Sequence, residues 1–243
     1  MMIPIFVLSF HRVEMTKLCL QYLSERTSIP ITIHIWDNGS NYNEQQELFK
    51  LYQKHMYDSL NLLSFNSGTT YPKIIQHAMA TTHPYESKYF VFNDADVYCP
   101  QISPCWLTKL IEIMDANIDL GCIAAQLPPQ VLQAPYEDRG DHTLCAAVGN
   151  TLKVIRSSAW QKINKNSIYS DDFYICDAMR NAGYLSAFAN DVWCLHAGQC
   201  ENWGYTPEQV KEDPRKVGLG PPYIYKYDEI TFKPQFNGCV SYL

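Results

Sequence analysis

Tyr89-Phe-Val-Phe-Asn-Asp-Ala-Asp96 is a short apolar run that ends in two carboxylates one residue apart. It reads as a hydrophobic strand running into a polar end. On an extended chain, residues i and i+2 face the same side. Asp94 and Asp96 can therefore converge on one hard cation, Mg2+ or Mn2+. Such a cation can clamp a diphosphate and stabilise its charge as it leaves. The competing reading is a turn that spends both carboxylates on backbone hydrogen bonds. The spacing alone does not separate the two, and the position at a strand end is what favours the first.

Similar runs precede it, at Ile3 to Phe10, Ile31 to Trp36 and Leu60 to Phe65. Helical spacing fills the gaps: Met15, Leu18, Cys19, Tyr22 and Leu23; then Leu48, Leu51, Tyr52 and Met56; then Ile74, Ile75, Ala78 and Met79 behind Pro72. Leu107, Leu110, Ile111 and Met114 mark a further helix, entered through Ser103-Pro104. Short buried runs alternating with amphipathic helices predict an α/β fold, a doubly wound parallel sheet covered on both faces. In such sheets ligands sit at the carboxyl ends of the strands. Those ends are Ser9-Phe10-His11-Arg12, Asp37-Asn38-Gly39-Ser40, Asn66-Ser67-Gly68 and Asn93-Asp94-Ala95-Asp96. No GxGxxG follows the first run and no GxxxxGK[ST] occurs anywhere, which disfavours a dinucleotide fold and a P-loop hydrolase.

The second half is less regular. Leu120 to Gln126 is another apolar run, and the Pro-rich stretch from Pro128 to His142 predicts a long loop. A strand is expected over Ala146 to Ile155, a short helix near Ser158 to Ile163, and a helix over Asp171 to Ala182 closed by Gly183. Leu185 to Leu195 is apolar again, and from Gln199 onward Tyr, Pro and Gly dominate without periodicity. Asp37 is open to two readings: a brace for the Asn-Gly turn, or an acceptor for a base or ribose. Asp171 and Asp172 suit the first turn of a helix, or one of them serves as a general base. His196, after the last run, is either structural or the nitrogen ligand of a Mn2+ site.

Composition bounds these readings. The chain has 243 residues and a formal charge of −6, an acidic balance that argues against a nucleic-acid binder. Apolar residues make up 47% and charged residues 18%, which excludes a disordered chain. Met1 to Phe10 is interrupted by Pro4 and has no preceding basic residue, so it reads as a first strand and not a signal peptide. No stretch is long and apolar enough to span a bilayer. The expectation is a cytoplasmic chain, with contact to a membrane surface left open. The nine cysteines are odd in number and form no CxxC, which points to buried reduced thiols.

Taken in order, these features resemble an inverting, family-2-like glycosyltransferase of the GT-A fold. Ile3-Pro-Ile-Phe-Val-Leu-Ser-Phe-His-Arg12 is similar to that family's first strand, which closes in Thr-Tyr-Asn-Arg. Ile33-His-Ile-Trp-Asp-Asn-Gly-Ser40 is similar to its "VVDDGS" strand, and Phe65-Asn-Ser-Gly68 to its "N-x-G" segment. Asn93-Asp-Ala-Asp96 resembles its DxD, and Ala147 to Arg156 its "GG…LRR" strand. Ser170 to Tyr184 resembles "ED-x-DL-x-x-R-x-x-x-AGY". His11, Asn38, Asp171 and Tyr174 depart from the usual residues at their positions.

The resemblance implies a single Rossmann-like, doubly wound mixed sheet flanked by helices, with an irregular C-terminal tail. It implies one domain over 1–243: a nucleotide-binding half at 1–100, an acceptor-side half at 101–198 and the tail at 199–243. Ser9, Phe10, His11, Arg12, Asp37, Asn38, Ser67, Gly68, Lys73, Asn93, Asp94 and Ala95 would face the nucleotide-sugar donor. Asp94, Asp96 and His196 would hold Mn2+ or Mg2+, and Asp172, with Asp171 beside it, would be the base. Trp203 and Tyr205 are candidate contacts for the acceptor: a glycan, a lipid-linked sugar or a protein. UDP is the favoured nucleotide. A retaining enzyme of the same fold, and a non-catalytic nucleotide-sugar or glycan-binding protein, are the alternatives.

Overall fold

The computed structural model describes residues 2–62, 86–126, 135–163 and 172–197. Within them the first four strands are β1 (Ile3–Ser9), β2 (Ile31–Asp37), β3 (Ser59–Leu62) and β4 (Tyr89–Asp94). They lie in the order β3-β2-β1-β4 and pair in parallel. Helix α1 (Val13–Arg26) connects β1 to β2, and α2 (Tyr42–Gln53) connects β2 to β3. Parallel pairing places all these carboxyl ends on one edge, as the apolar runs predict.

Each central strand is buried on both faces, which is why it reads as an unbroken apolar run. In β1, Ile5 and Val7 face a core formed with Met15, Leu23, Leu48, Trp106 and Leu110. Phe6 faces the opposite core, with Phe90, Phe92, Trp160, Ile175 and Met179. The first core is closed by α1, α2 and α3 (Trp106–Ala116). The second is closed by α4 (Ser157–Lys162) and α5 (Asp172–Asn181).

The far half of the sheet is not parallel throughout. Strands β6 (Leu120–Gln126), β7 (Pro135–Asp138), β8 (His142–Cys145), β9 (Lys153–Arg156) and β10 (Leu185–Trp193) complete nine strands, ordered β3-β2-β1-β4-β9-β6-β10-β8-β7. Strand β9 lies antiparallel to both β4 and β6, so the sheet is mixed, as the family resemblance implies and as the all-parallel reading of the apolar runs alone does not. Apolar periodicity carries no strand direction, so the inversion leaves no local signal.

Three expected segments differ in detail. The segment expected as a loop from Pro128 to His142 contains β7, which with β8 forms an antiparallel hairpin at the sheet edge. Strand β7 is exposed throughout and so lacks the apolar alternation that marks a strand. The strand expected over Ala146 to Ile155 is confined to Lys153–Arg156. Ala147 and Val148 are apolar because they fill the second core, outside any ladder. The second helix stops at Gln53, before Met56. All seven cysteines among the described residues are buried free thiols, as expected. The Asn66-Ser67-Gly68 turn, the helix behind Pro72, Asp171 and the tail from Gln199 lie outside the described residues.

Candidate functional site

Two small elements build the site. After β4 the chain turns through Ala95 and Asp96 into β5 (Val97–Tyr98). Strand β5 pairs antiparallel with β11 (Leu195–His196), with His196 opposite Val97. The Ala197 amide donates to the Asp96 carbonyl at 2.9 Å. This pairing carries a histidine from a hundred positions downstream to the acidic turn. One ligand atom each from Asp94, Asp96 and His196 then lies within 4.8 Å of the others. It is the one such cluster of three among the described residues.

Asn93 fixes the turn. Its side-chain amide donates to the carbonyls of Asp94 (2.9 Å) and Val97 (3.1 Å) and to Cys19 Sγ (3.3 Å). Its oxygen accepts from the Leu152 amide at 3.0 Å. The side chain is fully buried, so Asn93, expected to face the donor, points inward as a brace. Ser9 is likewise buried, its hydroxyl 3.2 Å from Thr16 Oγ1. The Ala95 amide donates to the Leu8 carbonyl at 3.0 Å and ties the turn to β1.

Asp96 is buried between a guanidinium and an imidazole. Arg12 Nη1 donates to Asp96 Oδ2, and His196 Nε2 lies 3.2 Å from Asp96 Oδ1. Burial pushes the Asp96 carboxyl up, but His196 and then Arg12 outweigh it and hold the pKa at about 2. Burial pushes His196 down, but the Asp96 and Asp94 carboxylates outweigh it and raise it above its ordinary value. His196 Nδ1 is buried with no hydrogen-bond partner among the described residues.

The ends of β1 and β2 form an adjoining group. Asp37 is buried, and it accepts from the Ser40 amide (2.9 Å), the Ser40 hydroxyl and Gln45 Nε2 (2.8 Å). It braces the turn through Gly39, whose φ of 83° suits glycine. The Asn38 amide donates to the Ser9 carbonyl at 2.7 Å, joining the two strand ends. His11 Nδ1 sits 2.6 Å from Glu44 Oε2, and the His11 amide donates to Ser40 Oγ at 2.7 Å. The Phe10 and His11 rings lie 4.2 Å apart. Glu44 escaped the sequence reading, although Asn41-Tyr-Asn-Glu44 has the pattern of a capping box and forms one at the start of α2.

Asp172 opens α5, the helix that follows from the expected 171–182 segment. Asp171, Ser67, Gly68, Lys73, Trp203 and Tyr205 lie outside the described residues.

The donor set fits a hard divalent cation. Two carboxylate oxygens and one imidazole nitrogen are ligand types that Mn2+ accepts. Ligands at about 2.1 Å from a six-coordinate ion stand roughly 3 to 4 Å apart. A set already within 4.8 Å needs little movement to close on one.

No protein-family model matches the chain, and no curated protein matches its sequence. Solved structures do match. A mannosyltransferase from Pyrobaculum calidifontis, in complex with GDP-Man and Mn2+, is 12% identical, with a TM-score of 0.59 over 99% of this chain and 73% of that one. GalNAc-T7 with UDP, GalNAc and Mn2+ is 10% identical, with a TM-score of 0.62 over 97% of this chain and 54% of that one. TarS 1-349 from S. aureus, in complex with UDP, is 14% identical, with a TM-score of 0.56 over 98% of this chain and 71% of that one. At such identities the shared property is the fold, and the chain has the GT-A fold of these glycosyltransferases.

Proposed function

We propose that this chain is a metal-dependent glycosyltransferase that moves a sugar from a nucleotide-diphosphate sugar, with UDP favoured, to an acceptor hydroxyl with inversion. The observation that carries the reading is the convergence of Asp94, Asp96 and His196 at the carboxyl edge of a GT-A sheet. Mn2+ or Mg2+ held there would stabilise the charge that gathers on the departing diphosphate. The neighbours solved with GDP-Man, UDP and Mn2+ support a donor of this class. Residues 1–100 would bind the donor and residues 101–198 the acceptor side.

The chain's own residues then have separable tasks. His11 and Arg12, at the end of β1, would face the donor, with Asp37 and Ser40 holding their turn in place. Asp172 would accept the proton of the acceptor hydroxyl. The freed oxygen forms a bond to the anomeric carbon on the face opposite the diphosphate. The bond from that carbon to the diphosphate oxygen breaks, and its electron pair leaves with the diphosphate. One displacement inverts the anomeric configuration.

The test is a thermal-shift panel of UDP, GDP, dTDP and CMP, with and without Mn2+, on wild type and Asp96→Asn. The expected result is stabilisation by UDP that needs both Mn2+ and Asp96. Silence from every nucleotide would move a metal-independent or purely binding role ahead. A product of retained configuration would remove the base from the mechanism.

A further inference from the structure

Both oxygens of Asp96 already have partners: Arg12 on Oδ2 and His196 on Oδ1. A divalent cation on Asp96 must share its carboxylate with a guanidinium of the same sign. The two partners of the ion pair differ in freedom. The Asp96 side chain is 7% exposed and that of Arg12 34%, so the arginine reaches in from the solvent side. The Asp96 backbone is pinned by the β5–β11 pairing.

Arg12 is anchored at its backbone and free to move only beyond it. It holds φ 60° and ψ 39°, directly after His11 at φ 55°. Two successive left-handed residues without a glycine are unusual and must be held by neighbours. The Arg12 carbonyl accepts from the Thr16 amide at 3.0 Å and from Thr16 Oγ1 at 3.2 Å. The His11 amide is fixed on Ser40. A swing of the guanidinium away from Asp96 therefore leaves the main chain where it is. Asp96 is its one hydrogen-bonding partner among the described residues.

Charge decides where it goes. With His196 neutral, as a metal ligand must be, Asp94 and Asp96 with Arg12 sum to one negative charge. Adding a divalent cation makes the group positive by one, and a diphosphate restores the balance.

We infer that Arg12 is a resident counter-ion of the metal site, which holds Asp96 in the metal-free chain, gives way to the divalent cation, and then turns to the donor's diphosphate. The inference rests on the donor-site reading above. It makes the metal and the diphosphate bind better together than either does alone, because Arg12 opposes the first and attracts the second. Arg12 thereby acts on the metal through Asp96 and on the donor by direct contact with its diphosphate.

Isothermal titration of Mn2+ alone into wild type, Arg12→Gln and Arg12→Lys tests this without any turnover. Arg12→Gln should bind Mn2+ about fivefold more tightly than wild type, the upper end of what is expected for losing a charge pair whose arginine reaches solvent. Arg12→Lys, which keeps the charge, should stay near wild type. With Mn2+ saturating, UDP should bind Arg12→Gln about fivefold more weakly. Wild type itself supplies a second readout. In protein labelled with 13C at the arginine guanidinium carbon, Mg2+ should move the Arg12 resonance, assigned by its absence in Arg12→Lys, and added pyrophosphate should move it again. Equal or weaker Mn2+ binding by Arg12→Gln, or an Arg12 resonance indifferent to Mg2+, would overturn the counter-ion role and leave the donor site standing. No Mn2+ binding by wild type, either alone or with UDP present, would remove both.

Discussion

Asp96 is held ionised by His196 and Arg12, and Asp94 stands beside it with less burial. Neither neighbour is near it in sequence, which is why spacing alone left Asp94-Ala95-Asp96 open between ligand and turn. Asn93 shows the reverse: a polar residue at a strand end is consumed by the turn it stabilises. Asp37 likewise carries the bracing role that the Asn-Gly signal predicts. For the proposed base, Asp172→Asn keeps the side-chain volume and removes the proton acceptor. Transfer should fall by about a hundredfold or more, the usual yield of a positioned base. UDP affinity in Mn2+, read by titration calorimetry, should stay unchanged. A variant that retains full transfer would shift the base role to Asp171 or away from this pair.

At the scale of elements, β6 and α5 meet without space to spare. A Cβ on Gly121 would come 2.8 Å from Tyr184 Cβ and 2.9 Å from Met179 Sδ. Real Cβ atoms do not approach so closely, so Gly121→Ala must push α5 and its closing turn away from the sheet. The expected cost is about 1–3 kcal/mol, typical of an overpacked core contact. Urea unfolding checks it through the midpoint at constant m. An unchanged midpoint would mean that the helix yields freely there. The elements that sequence reading located are those with two-sided burial, such as β1 and β4. Strand β7, which it missed, is exposed at every residue and shows no alternation of buried and exposed positions to mark its period.

At the scale of the whole molecule, metal binding and folding are linked through His196. Its pKa is raised above 6.5 in the folded chain, burial notwithstanding, by Asp96 and Asp94. In the metal-free protein this protonated form stabilises the fold fully below the unfolded value of 6.5, and the benefit is lost as pH rises through the folded value. A metal ligand must be the neutral imidazole, so Mn2+ acts with the opposite sign. Asp96, at about 2, stays ionised throughout this range and contributes no slope. The rise in melting temperature caused by Mn2+ should therefore be small at pH 6 and grow towards pH 8, because a ligand stabilises only in proportion to its affinity for the native state. His196→Ala should flatten that dependence. A Mn2+ increment independent of pH would exclude His196 as a ligand.

What the sequence determined by itself is the alternation of buried strands and helices, the edge at which polar residues gather, and the acids that end β4. These follow from local periodicity and from the double burial of parallel strands, which a single chain displays along its length. The family resemblance implied a mixed sheet and a place for His196 at the metal; the tertiary structure decided which strand is reversed, the hairpin at the far edge, the β5–β11 pairing that delivers His196, and the seat of Arg12 on Asp96. Each of these depends on which strand pairs with which, and in what direction. Such choices are settled by contacts between residues far apart in the chain, and no local pattern encodes them.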